Sequence, residues 1–187
     1  MKALLIYIPT LAVTLIGIGI DKTYAQPPGQ NTRNHSLTLT INEVVLVDLE
    51  PAGSSIPLVA GTPSEAGAPV LEVSDQSSWL NYTSCLAPMS PARSVSVQLT
   101  GTLPPGVELQ LQVSPSSGAG QGVLGTSAGT VTLSGVATTV ISCIGGCYTG
   151  NGANNGHRLT YTVLISNYAA LEGAGYGPFL ISYTISN

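Results

Sequence analysis

Few residues in this chain can do chemistry. Three cysteines stand at 85, 143 and 147, two histidines at 35 and 157, and one tryptophan at 79. Cys85, Cys143, Cys147 and His157 have the makeup of a Cys₃His zinc set, but their spacing matches none of the common C-x₂-C patterns. In an oxidising compartment three thiols form one disulfide and leave one over. Joining Cys85 to Cys143 or to Cys147 closes about 60 residues and contributes about 4 kcal/mol, whereas the short Cys143–Cys147 loop contributes about 2 kcal/mol. Cys85 with either partner is therefore the expected pairing, and the short Cys-Ile-Gly-Gly-Cys loop is the alternative.

Catalysis has little to draw on. His35 lies in a polar leader and His157 follows an Asn/Gly stretch, so neither accompanies a nucleophile. There is no G-x-S-x-G elbow and no H-E-x-x-H pair. Asp48 with Glu50, and Glu72 with Asp75, sit at strand ends, but without a D-x-D-x-D loop they read as solvated carboxylates and not as a Ca²⁺ site. No catalytic residue, metal or cofactor is expected. A weak sugar platform can be assembled from Trp79, Tyr82 and the loop bearing Tyr148, Asn151, Asn154 and Asn155. A single Trp on an alternating strand is more simply the core anchor of a β-sandwich. Sequons occur at Asn34 and Asn81.

Composition narrows the classes further. Of 187 residues, 7% are charged, and the chain carries 22 glycines and 13 prolines. An average soluble domain has about a quarter charged residues. Beyond residue 25 there is no lysine, and three arginines (33, 93 and 158) face eight carboxylates. Three cations cannot line a phosphate track, which excludes nucleic-acid binding.

Residues 1–25 read as a secretory signal peptide. Lys2 is followed by an apolar run from Leu4 to Ile20, and Thr23 and Ala25 supply small residues before a cut ahead of Gln26. An uncleaved anchor is the alternative. Cleavage leaves no membrane span in the mature chain, a flexible leader at 26–35 and a single domain at 36–187, secreted to the cell surface or periplasm.

That domain alternates with period two throughout. Leu37, Leu39 and Ile41 share parity with Val45, Val47 and Leu49, which predicts one long strand or two halves with a bulge near Glu43. Further strands are expected at 70–73, 79–83, 95–99, 107–113, 130–133, 138–142, 159–165 and 179–185, with loops at 114–122 and 145–156. The fold class is all-β: an antiparallel sandwich of eight or nine strands. The final stretch, with Phe179, Ile181, Tyr183 and Ile185 on one face, carries no charge to protect an edge. It is a candidate assembly strand, unless it simply pairs within its own sheet.

Several segments recur in order: Ser-Trp-Leu-Asn-Tyr-Thr (78–83), Leu-Pro-Pro-Gly (103–106), Gly-Thr-Val-Thr-Leu-Ser (129–134) and the final Tyr-Thr-Ile strand. With the leader peptide, they resemble secreted pilin-like proteins of the spore-coat-U and chaperone–usher type. The resemblance implies an immunoglobulin-like sandwich and, in many members, assembly by donated strands. The sequence departs from it at Ser186, where pilins usually carry a penultimate aromatic, and in having no cysteine pair near the first strand. The expected function is a non-enzymatic structural subunit of a surface coat or fibre, self-associating or joined to other surface proteins. The alternative is a monomeric secreted adhesin or carbohydrate-binding module.

Overall fold

A computed structural model describes residues 33–187. The expected signal peptide and all but the end of the leader lie outside the described residues. The chain divides into Met1–Leu39 and Thr40–Asn187. The described part of the first unit, residues 33–39, is exposed and has no strand or helix.

The second unit is all-β and antiparallel, as the alternation requires. Its strands are β1 (Val44–Glu50), β2 (Val73–Cys85), β3 (Arg93–Thr100), β4 (Val107–Val113), β5 (Gln121–Ser127), β6 (Thr130–Thr132), β7 (Thr138–Tyr148), β8 (His157–Ile165) and β9 (Leu180–Ser186). A single 3₁₀ turn at Tyr168–Ala170 is capped by the Asn167 side chain.

The strands run in the order β6-β4-β8-β2-β7-β3-β9, with β1 added to β2 and β5 to β7. The long strand β2 joins two groups. It pairs with β8 through Val73–Leu80 and with β1 through Trp79–Cys85, while Thr83 and Ser84 alone reach β7. One group is thus β1-β2-β8-β4-β6 and the other β5-β7-β3-β9. Both supply one core: Leu80, Leu111, Val113 and Leu159 from the first, Val95, Val97, Val140, Ile141 and Ile144 from the second, each 2% exposed or less. Burying an aliphatic side chain to this degree contributes about 1.5–3 kcal/mol.

Three expectations are corrected. The segment 37–43 continues the alternation of β1, but no strand of the described fold pairs with it, and β1 begins only at Val44. Leu37, Leu39 and Ile41 are 94%, 79% and 74% exposed. Second, the expected strand at 79–83 runs back to Val73 through a bulge between Asp75 and Ser78, while 70–72 lie outside it and Leu71 makes only an isolated bridge to Gly61. Third, part of each expected Gly-rich loop is strand: β5 occupies 121–127 and β7 runs on to Tyr148. A Cβ on Gly122 would stand 2.2 Å from the Gly146 carbonyl oxygen. Glycine there lets the two backbones approach as no other residue would.

Candidate functional site: an open seam between two edge strands

Strand β9 is not free. It pairs in register with β3 from Ser94↔Ser186 to Thr100↔Leu180. Its inward residues Ile181, Tyr183 and Ile185, with the preceding Phe179, pack half-buried against the core. The candidate assembly strand is therefore part of its own sheet, but at an edge. Among the described residues, the second edge of β9 and the second edge of β1 carry no strand partner.

These two edges face each other. At one end they are held together by Arg93, which occupies an inward position of β3 and is only 3% exposed. Its guanidinium donates to the Val44 carbonyl at 2.7 Å and to Ser84 Oγ at 3.0 Å, its Nε donates to Asn187 Oδ1 at 2.7 Å, and it pairs with the Glu43 carboxylate. A buried cation persists only with partners of this kind. Away from Arg93 the edges part. They leave an opening of about 250 Å³ lined by Val47, Asp48, Leu49, Ala52, Gly53 and Tyr183. The Tyr183 hydroxyl meets the Tyr161 hydroxyl at 2.8 Å, and burial, reinforced by Tyr161, raises the Tyr183 pKa.

The cysteines stand apart from one another, and all three are free. Cys147 is directly opposite Ser84, so Cys85, the next residue, points to the other face of the pair. Cys143 and Cys147 are four residues apart along extended β7, on the order of 12 Å, whereas a disulfide needs Cα atoms about 4.4–6.8 Å apart. Neither expected pairing is made, because strand register and not loop entropy fixes where the sulfurs point. Burial pushes the Cys147 thiol pKa up, with Arg93 pulling partly back, so it stays protonated. Cys143 is exposed, at a left-handed backbone position with φ 59°.

His157 is fully buried, and among the described residues no group of three or more metal-ligating side chains occurs. Its Nδ1 lies 2.7 Å from the Ser114 carbonyl, which can only accept, so Nδ1 carries the proton. Its Nε2 then accepts from the Tyr82 hydroxyl at 2.8 Å, a proton shared with the Leu124 carbonyl. Burial, aided by Cys147, raises the Tyr82 pKa, which keeps that donor protonated. This polar centre joins β2, β8, the residue that follows β4 and the middle of β5. His157 shares the parity of the inward Leu159 and Tyr161, a signal that could have found it, but the strand expected from the sequence begins only at Leu159.

The expected sugar platform is dispersed. Tyr82 is a core residue and Trp79, on the opposite face of β2, is half-buried outside the core, reversing the expected core role of Trp79. Asn155 is committed to the loop itself: its Oδ1 accepts from the Ala119 amide at 2.9 Å and its Nδ2 donates to the Asn151 carbonyl at 2.8 Å. Asn154 serves a turn with φ 66°, and Tyr148 and Asn151 remain exposed. Asn81, of the second sequon, is 4% exposed with Nδ2 bound to the Gly152 carbonyl, so it is closed to modification in the folded chain. The acidic residues do not converge either: Asp75 accepts from Ser77 and Asp48 from the Leu49 amide.

Comparisons with protein-family models, with curated proteins and with solved structures find no match to this chain.

Proposed function

We propose that this chain is an exported, non-enzymatic structural subunit of a surface coat or pilus-like fibre, with an immunoglobulin-like sandwich that joins its neighbours by β-strand complementation. One observation carries the reading: an unpaired, alternating apolar segment accompanies a fold with an open seam. Leu37, Leu39 and Ile41 are almost fully exposed, and Ser36, Thr38 and Thr40 between them are uncharged. Such a segment has high β-propensity and no gatekeeping charge. The seam between β1 and β9 offers unpaired main-chain groups on both sides and half-buried Val47, Leu49 and Tyr183 at its floor. A strand from a second copy would satisfy the main chain and cover those side chains at once.

The role of β9 in this reading is acceptor and not donor. Light scattering and negative-stain microscopy of residues 26–187 should show filaments or ladders. Deleting residues 36–41 should yield a folded monomer that binds a synthetic peptide of residues 35–43. A full-length chain that stays monomeric at high concentration, or a deletion variant that still polymerises, would sink the reading.

A further inference from the structure

The outer face of the β1-β2-β8-β4-β6 group carries polar side chains that neither the core nor the seam uses. Register fixes which of them stand side by side. Thr132, Gln110, Thr162 and Ser74 form one row across β6, β4, β8 and β2. Two residues along, Thr130, Gln112 and Thr160 form a second. The third row runs Arg158, Trp79, Glu50 across β8, β2 and β1. The bulge between Asp75 and Ser78 is what brings Trp79 to the same face as Ser74.

Beside these rows lies a cleft of about 290 Å³ lined by Gln112, Ser114, Ser127, Gly129, Arg158 and Thr160. The two serine hydroxyls are tied to the backbone: Ser114 Oγ donates to the Pro115 carbonyl and Ser127 Oγ to the Val113 carbonyl. They shape the cleft, and leave the Gln112 amide, the Thr160 hydroxyl and the exposed Arg158 guanidinium to meet a ligand. Among the described residues Arg158 has no carboxylate within ion-pairing distance.

We propose that this face binds a neutral, ribbon-like polysaccharide such as a β-1,4-linked glycan. Amides and hydroxyls both donate and accept, as sugar hydroxyls do. The half-buried Trp79 indole offers an apolar face for a pyranose ring, with a donor (Arg158) on one side and an acceptor (Glu50) on the other. Side chains repeated along each row at the inter-strand spacing of about 4.8 Å suit an extended chain lying across the strands and not a small enclosed solute. The excess of carboxylates and the presence of Glu50 disfavour a polyanion. The inference does not rest on assembly, since it uses none of the seam residues Val47, Leu49 or Tyr183.

Titration calorimetry of residues 26–187 with cellohexaose and xylohexaose tests it, with polygalacturonate as the charged arm. At least one neutral hexasaccharide should bind. Trp79→Ala and Arg158→Gln should each weaken it about tenfold or more, while Tyr148→Ala at the exposed end of β7 leaves it unchanged. Arg158 is exposed, so its substitution keeps the fold, which far-ultraviolet circular dichroism verifies even if Trp79→Ala unfolds. No binding of either neutral probe, preference for polygalacturonate, or equal affinity of the Arg158→Gln variant would each overturn the proposal.

Discussion

Arg93 holds Asn187 through a bond from its Nε to Oδ1 at 2.7 Å, so the first residue of β3 fixes the residue that follows β9. The same guanidinium binds the Val44 carbonyl and the Glu43 carboxylate, and thereby sets the end of β1 against the end of β9. Arg93→Ala should cost about 2–4 kcal/mol in urea unfolding, because it strips a buried network while Glu43 retains access to water. Arg93→Lys should recover little, since an ammonium cannot span partners lying in several directions. Asn187→Ala should cost only about 1 kcal/mol. If Arg93→Ala were neutral, the network would be incidental to the fold.

The buried His157 makes stability depend on pH. Burial lowers its pKa below the ordinary value near 6.5, outweighing the pull of the Ser114 and Leu124 carbonyls. The unfolded chain therefore binds more protons than the folded one between the depressed folded pKa and the unfolded value. The His157 contribution is fully present above about pH 6.5 and is lost as pH falls below it, levelling off under the folded pKa. Urea midpoints taken from about pH 8 to about pH 5 should fall in that window. In a His157→Gln variant the slope should vanish, although its stability is lower throughout. An unchanged slope would assign the acid sensitivity to the carboxylates.

Alternation made most strands legible, because one-sided burial in a sheet imposes period two on the sequence. Val95, Val97 and Leu99 and the run Leu109, Leu111, Val113 sit inward as read. Period two says nothing about partners, however, so the stretch from Leu37 to Ile41 looked like the start of β1 although nothing in the described fold pairs with it. Nor could alternation reveal β5, where Gly122 and Gly125 replace side-chain pattern with close backbone approach. The polar features were hidden for a related reason. Arg93 shares the parity of the core residues of β3, and only the three-dimensional convergence of Glu43, Ser84 and Asn187 makes that position tolerable. Arg158 became a candidate ligand contact only when the bulge in β2 placed Trp79 beside it.

The three thiols should differ sharply in reactivity. Cys143 is exposed, Cys85 is half-buried, and Cys147 is 8% exposed with a raised pKa. Since the thiolate is the reactive form, Cys143 should label first and Cys147 only on unfolding. Mass spectrometry of the folded chain alkylated without reductant, then again after unfolding, should find three modifiable thiols and no intramolecular bridge. Isolation of a Cys85–Cys143 or Cys85–Cys147 disulfide with an intact fold would contradict the register of β2 against β7.

Removing residues 178–187 separates a donor role for β9 from the acceptor role. Were β9 a strand held out for a neighbour, its loss would leave a folded monomer. Here Phe179, Ile181, Tyr183 and Ile185 pack on the core, β9 makes seven paired positions with β3, and Tyr183 closes a hydroxyl contact with Tyr161. Losing four half-buried apolar side chains removes about 4–8 kcal/mol of burial, comparable with the whole stability of a domain, which is about 5–15 kcal/mol. The truncated chain should therefore be unfolded or molten by circular dichroism, and peptide 178–187 added in trans should restore structure. The 36–41 deletion, by contrast, removes only exposed side chains and should leave the thermal midpoint within a few degrees of the full chain. A truncated chain that melts cooperatively without the peptide would show that β9 is dispensable to its own sheet and would return it to the role of donor.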